Sequence, residues 1–252
     1  MEDVSFSNPF FDEISKYPVK FATPVFFGES PHTSSSAFIR NGTSTLLMLD
    51  GRYLGVTCQH VLEGYRQFKQ NNDGFFYMGP IQINPEQCLI SEDKEYDLAI
   101  FDLSNLVGKV PELNEAKFVK PSTWPPNDIS KEDVICMAGF PGIWRDQMSL
   151  GHLRFYSYSS GAAEVVSVRE NSFVTTVKIA DCITQINHGK IWGSIGGLSG
   201  GPVFVWRKTP ILIAELVGFI YEYQESFDLM FVRSGNVIGV DGKIISNPSL
   251  HN

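Results

Sequence analysis

The sequence predicts an all-β protein built from antiparallel strands in two groups of similar size. Three observations carry this expectation. Apolar runs are short and are cut repeatedly by Gly, Asn, Asp and Pro. Long amphipathic helical stretches are scarce. A polar, proline-marked segment near the middle, with Lys120-Pro121 and Trp124-Pro125-Pro126-Asn127, separates the groups. The boundaries read as an arm over 1–20, a first β-unit over 21–115, a connector over 116–131, and a second β-unit with tail over 132–252.

The arm carries Asn8-Pro9-Phe10-Phe11 and Tyr17-Pro18, which fits a helical turn packing aromatics on the body. Strands are expected at Val25–Gly28, at Ser36–Arg40 and at Thr43–Leu49. Asn41-Gly42 between the last two is a hairpin signal, because both residues tolerate positive φ. Asp50-Gly51 is a second such signal before a strand at Arg52–Thr57. One or two helical turns fit Gln59–Lys69; strands fit Phe75–Met78, Ile81–Ile83 and Asp97–Leu103. The second group reads as strands at Val134–Ala138, Leu150–Ser157, Ala162–Val168, Phe173–Ile179, Pro202–Trp206, Leu212–Tyr221 and Leu229–Arg233. No repeat of fixed period is present, which excludes a solenoid.

Composition narrows the function classes. The chain has 252 residues, is 43% hydrophobic with 19 Phe and 9 Tyr, and is 19% charged, so it can build a sizeable core. Its net charge of −8, with no Lys/Arg cluster, argues against a nucleic-acid surface. The acidic start Met1-Glu2-Asp3 lacks the basic and apolar regions of a secretory signal. No window approaches the roughly 18 apolar residues of a membrane span. Cys58, Cys88, Cys136 and Cys182 form no metal-binding spacing; their even number allows two disulfides, but without a secretory signal they read as free thiols in a reducing, cytoplasmic setting. No cofactor or metal is expected.

The chemistry concentrates in Gly193-Ser194-Ile195-Gly196-Gly197-Leu198-Ser199-Gly200-Gly201-Pro202. A nucleophilic serine needs a sharp turn to expose its oxygen and free N–H groups beside it to hold an oxyanion. Glycines in this density permit both. Of the five histidines, only His60 stands where an apolar strand ends, in Leu54-Gly55-Val56-Thr57-Cys58-Gln59-His60-Val61. A strand end followed by a turn points an imidazole into a cleft. Asp97 enters the apolar run Leu98-Ala99-Ile100, so it is partly buried and requires a partner such as an imidazole N–H. The serine block also fits Gly-x-Ser-x-Gly, the elbow of α/β-hydrolases. That fold needs a helix after the serine and a histidine downstream. Pro202 and β-rich Val203–Trp206 follow here, and the only later histidine is His251.

Thr57-Cys58-Gln59-His60-Val61, Asp97-Leu98-Ala99-Ile100 and Gly197-Leu198-Ser199-Gly200-Gly201-Pro202, in this order, resemble the three signature blocks of the trypsin-like (chymotrypsin-fold) serine proteases. The resemblance spans roughly residues 20–240 and is closest to the disulfide-free bacterial and viral members. It implies two six-stranded antiparallel β-barrels with the active site in the cleft between them. It also implies a triad of Ser199, His60 and Asp97, and an oxyanion hole formed by the N–H groups of Gly197 and Ser199.

Departures from the family pattern inform the expectation. The residue before the serine is Leu198 rather than Asp, so a switch that pairs this position with a freed N-terminus is not expected. Ordering of the Gly193–Leu198 loop by a partner or ligand is the expected substitute. Val61 stands where secreted members carry a cysteine. Gly193 replaces the acid that selects basic residues in trypsin, and with Ser194 it is expected to line the substrate pocket. Tyr221, Glu222, Tyr223 and Phe231 are the further substrate-binding candidates, with the bulky rings narrowing the pocket. The implied partner is a protein or peptide substrate, and a co-encoded target or an activating partner is the further expectation. The competing readings are a silent protease-fold binding module and an esterase using the same triad.

Overall fold

The computed structural model describes residues 9–29, 38–177, 183–184, 195–208 and 210–245. Helix α1 (Pro9–Lys16) and a 3-10 turn (Tyr17–Phe21) open the described chain. The first sheet then takes β1 (Ala22–Gly28), β2 (Ile39–Leu49), β3 (Arg52–Thr57), β4 (Phe75–Met78), β5 (Ile81–Gln82), β6 (Leu89–Asp93) and β7 (Leu98–Asp102). Helix α2 (Gln59–Lys69) and the single turn α3 (Pro85–Cys88) are inserted. The strand order is β5-β4-β1-β2-β3-β7-β6, antiparallel throughout. This sheet curls until Phe76 of β4 and Phe101 of β7 lie 6.0 Å apart across a shared core.

The second half supplies β8 (Val134–Gly139), the hairpin β9 (Arg145–Ser149) and β10 (His152–Phe155), β11 (Tyr158–Ser159), β12 (Ala163–Arg169), β13 (Ser172–Thr176), β14 (Ile183–Thr184), β15 (Pro202–Lys208), β16 (Leu212–Gln224) and β17 (Leu229–Ser234). Strands β12-β13-β17-β16-β15-β8 follow one another, and β12 pairs back onto β8, closing a six-stranded barrel. The architecture is thus all-β, as expected: a closed six-stranded C-terminal barrel against a curled seven-stranded N-terminal half-barrel.

Period-2 alternation places the cores. Along β2, Leu46 and Met48 face the interior of the N-terminal sheet, while Leu47 and Leu49 face the other way. There they meet Cys136, Phe204, Leu216, Phe219 and Val237 from the second half. The two halves therefore share an apolar seam, and β2 has one face in each core. Tyr17 packs edge-on against Phe204 at 5.3 Å and Trp206 at 5.4 Å, so the arm closes the end of that seam, as its aromatics led one to expect.

Several local expectations are corrected. Asn41-Gly42 is not a turn: β2 runs straight through it, with Phe26 opposite Asn41 and Val25 opposite Gly42. Neither residue has positive φ, whereas Asp50 (46°) and Gly51 (75°) do, and they make the true β2–β3 hairpin. Helix α2 has 11 residues rather than one or two turns, because Val61, Leu62 and Tyr65 bury one face into the N-terminal core. Arg66 fixes its far end through Glu86 (2.9 and 3.0 Å) and Glu92 (2.7 Å). The strand expected at Leu150–Ser157 begins only at β10, after a turn at Gly151 with φ 79°, and its hairpin partner β9 precedes the expected run. Cys58, Cys88 and Cys136 are free thiols; Cys182 lies outside the described residues.

Candidate active site

His60 sits on the second residue of α2, just beyond the buried end of β3. Helix N-termini carry N–H groups with no intrahelical partner. Asp97 satisfies one of them: its Oδ1 accepts the His60 backbone N–H at 2.9 Å. Its Oδ2 lies 2.7 Å from His60 Nδ1. One carboxylate therefore caps the helix and orients the imidazole. Pairing Nδ1–H with the carboxylate leaves Nε2 as the acceptor nitrogen. Half of the imidazole surface (51%) is open to solvent, against 22% for Asp97, so the pair is reachable from one side.

Asp97 is aimed by its own backbone. Its φ is 54°, a left-handed conformation for a non-glycine residue, at the turn between β6 and β7. Asp93 holds that turn by accepting the N–H groups of Glu95 (2.7 Å) and Tyr96 (2.9 Å). Arg233 of β17 grips it from the opposite barrel, donating to the carbonyls of Tyr96 (2.9 Å) and Glu95 (3.2 Å). The guanidinium lies 5.4 Å from the Tyr96 ring centre and 4.6 Å from that of Tyr221.

Ser199, half-buried, stands between Gly197 (φ 106°) and Gly200 (φ 92°). Its carbonyl accepts the Thr43 N–H at 2.9 Å, and the Gly200 carbonyl accepts Thr45 Oγ1–H at 2.8 Å. The Ile220 carbonyl joins the two halves of the site. It receives Gly200 N–H at 2.7 Å, one residue after Ser199, and Cys58 Sγ–H at 3.3 Å, two residues before His60. A Cβ on Gly200 would collide with the Thr43 carbonyl oxygen and lie 2.7 Å from Thr57 Oγ1. Only glycine allows the serine loop to approach the histidine strand this closely. Leu198 is buried in the C-terminal core, against Gly139, so an apolar anchor stands before the serine. The Gly197 and Ser199 N–H groups have no hydrogen-bond partner among the described residues.

The buried Cys58 thiol lies beside this pair. Its pKa is pushed well above the ordinary thiol value, chiefly by burial and secondly by the charge of Asp97. It is therefore held as the neutral thiol and is a poor nucleophile. Cys58, His60 and Asp97 also offer donor atoms within 4.8 Å of one another. The hydrogen bonds just described already engage all three.

The substrate-binding candidates are placed unevenly. Tyr221 is the extra residue of a register shift in β16, between Ile220 and Glu222, and packs edge-on against Phe231 at 6.1 Å. Burial raises its phenol pKa, with Arg233 opposing. Glu222 is exposed and opposite Phe231, and Tyr223 Oη donates to Asp228 Oδ1 at 3.1 Å. The β15 ladder ends at Pro202–Phe219, so β16 continues past it toward these residues. Gly193 and Ser194 lie outside the described residues.

No protein-family model matches the chain, and no curated protein matches it significantly in sequence. Among solved structures it is similar to the tobacco vein mottling virus protease, at 11% identity, covering 89% of this chain and 79% of that one with a TM-score of 0.44. It is also similar to a catalytically inactive tobacco etch virus protease complexed with substrate, at 12% identity, 87% and 80% coverage and a TM-score of 0.44. A structure concerning the Sesbania mosaic virus VPg protein is similar at 18% identity, 85% and 91% coverage and a TM-score of 0.42.

Residues that sequence reasoning missed are those acting across the barrels: Asn41, Thr43, Thr45 and Arg233. Arg233 left a trace, a cation closing the apolar run Leu229–Val232. The two threonines look like ordinary strand residues.

Proposed function

We propose that this protein is a serine endopeptidase. Ser199 Oγ attacks a peptide carbonyl, and His60 Nε2 takes its proton and returns it to the leaving amine. Asp97 holds the imidazole in the required tautomer and stabilises the imidazolium. The Gly197 and Ser199 N–H groups receive the developing oxyanion, and water then releases the acyl group from Ser199. The substrate is a protein or peptide, taken along β16 at Tyr221–Tyr223. The free thiols support action in a reducing, cytoplasmic compartment. Among the described residues no helix is long and apolar enough to cross a membrane.

The observation that carries this reading is the pair of hydrogen bonds between His60 and the Asp97 carboxylate, at 2.7 and 2.9 Å, beside a serine loop bonded to β2 of the same sheet. A carboxylate serving only as a helix cap has no need to pin the imidazole as well. The test is labelling with a fluorophosphonate probe together with a peptide-library cleavage profile. The wild type is expected to be labelled at Ser199 and to cleave. Ser199→Ala is expected to lose both, with turnover down by about 10⁶. Cleavage that persists in Ser199→Ala overturns the assignment. Hydrolysis of small esters without peptides makes the protein an esterase, and neither labelling nor cleavage makes it a binding module.

A further inference from the structure

We propose that Asn41 and Thr43 of β2, with Arg145 behind Asn41, form a cross-barrel clamp that holds the Gly196–Gly197 peptide with its N–H turned toward the site. The chain would thereby order its oxyanion loop from within, where a freed N-terminus or an outside partner was the alternative. The catalytic consequence rests on the serine-peptidase reading above; the clamp itself does not.

The loop is gripped at successive carbonyls. The Gly196 carbonyl accepts the Gly142 N–H at 2.7 Å. In a trans peptide the carbonyl and the following N–H point to opposite sides, so this bond turns the Gly197 N–H away from Gly142. The Gly197 carbonyl accepts Thr43 Oγ1–H at 2.8 Å, and the same hydroxyl accepts the Phe140 N–H at 2.9 Å. Asn41 Nδ2–H donates to the Phe140 carbonyl at 2.8 Å, and Asn41 Oδ1 accepts Arg145 Nη1–H at 2.8 Å. Asn41 and Thr43 thus fix both polar groups of Phe140, two residues before the Gly142 N–H that holds Gly196.

Packing makes the arrangement selective. Gly197 has φ 106°, and the position of its absent Cβ lies 2.7 Å from Asn41 Nδ2, 2.8 Å from the Phe140 carbonyl oxygen and 2.9 Å from the Gly142 nitrogen. Gly42, between the two clamp residues, has the place of its Cβ 2.8 Å from Val61 Cγ2 and 3.4 Å from the Ser199 carbonyl oxygen. The tripeptide Asn41-Gly42-Thr43 is therefore pressed between helix α2 and the serine loop. A reversed Gly196–Gly197 peptide would give up the Gly142 bond and turn a carbonyl toward the position where negative charge develops. The clamp biases that equilibrium. Asn41, Thr43 and Arg145 are positioning residues; none touches the reacting atoms.

The experiment compares wild type, Asn41→Ala, Thr43→Val and Thr43→Ser by two readouts. The first is hydrogen–deuterium exchange of segment 195–201, where Gly200 and Gly201 N–H are bonded to the Ile220 and Leu198 carbonyls. The second is the rate of fluorophosphonate labelling at Ser199 across pH. Asn41→Ala and Thr43→Val are expected to speed exchange of 195–201 about tenfold while α2 stays protected. Labelling is expected to slow by about 10- to 100-fold, within the range for a weakened oxyanion donor. The acid limb of its pH profile should stay in place, because the His60–Asp97 pair is untouched. Thr43→Ser should restore both readouts. Unchanged exchange in Asn41→Ala overturns the clamp, whether or not Thr43→Val folds. Faster exchange with undiminished labelling overturns its role in reactivity. A wild type that is not labelled defeats the peptidase reading, and exchange alone then decides the clamp.

Discussion

The two sides of the site are built in opposite ways. His60 and Asp97 are 37 residues apart, on a helix and a turn that adjoin β3 and β7 of one sheet, and their geometry comes mainly from local devices. These are a helix N-terminus, a left-handed residue and an Asp93 side chain that ties the turn two and three residues on. The serine loop adds to the bonds of its own half several from the other barrel, with Thr43 reaching Gly197 across 154 residues and Thr45 reaching Gly200 across 155. The base is thus prepared mainly within its own half, with Arg233 and the Ile220 carbonyl added from the other. The nucleophile loop takes shape only when the barrels dock, and damage to the seam should reach it first.

Asp97→Asn breaks the local side most severely. An amide in place of the carboxylate removes the charge and favours the wrong imidazole tautomer, so turnover should fall about 10⁴-fold. The negative charge at the start of α2 is lost with it, which should cost about 0.3–1 kcal/mol of stability. Steady-state kinetics and urea melts on the same preparation measure the two effects. A drop in stability without the drop in turnover would leave Asp97 as a cap alone.

Gly200→Ala breaks the docked side. The added Cβ would meet the Thr43 carbonyl and the Thr57 backbone and side chain, at a φ that alanine resists. We expect a loss of about 3 kcal/mol or more in unfolding free energy. Exchange should be fastest in 195–201 and slow in α2. Equal loosening of both segments would erase the contrast between the two sides.

Arg233→Met sharpens the comparison with a smaller effect, since Arg233 ties the Asp97 turn to the opposite barrel. The aliphatic stem keeps some packing between Tyr96 and Tyr221, and the two bonds to the Asp97 turn are lost. Turnover should fall roughly tenfold, the scale of one or two hydrogen bonds, with KM little changed. A larger fall would mean that the base side also depends on docking.

Much of the fold was legible because its signals are short-range. Alternating burial marks strands such as Phe75–Met78, and Asp50-Gly51 supplies the two positive φ values that a tight hairpin needs. Asn41-Gly42 carries the same letters and means something else. Its glycine is small because Val61 and Ser199 approach it, and its asparagine is polar because Phe140 and Arg145 reach it. Nothing within a few residues of position 41 distinguishes these causes from a turn. Helix α2 was underread for a related reason: its apolar stripe is narrow, and tertiary burial of Val61, Leu62 and Tyr65 extends it.

The sequence by itself determined most of the longer strands, the two-part β organisation, and the placing of a histidine at a strand end, an acid opening a strand, and a serine among glycines. Those are properties of dihedral preference and burial pattern, which neighbours in the chain express. Only the tertiary structure decided that Asp97 binds His60 twice, that the N-terminal sheet curls while the C-terminal one closes, and that the Gly196–Gly197 peptide faces as it does. These features depend on hydrogen bonds between groups far apart in the chain. Such bonds exist only once two cores have formed and the seam between them has brought β2 to the serine loop.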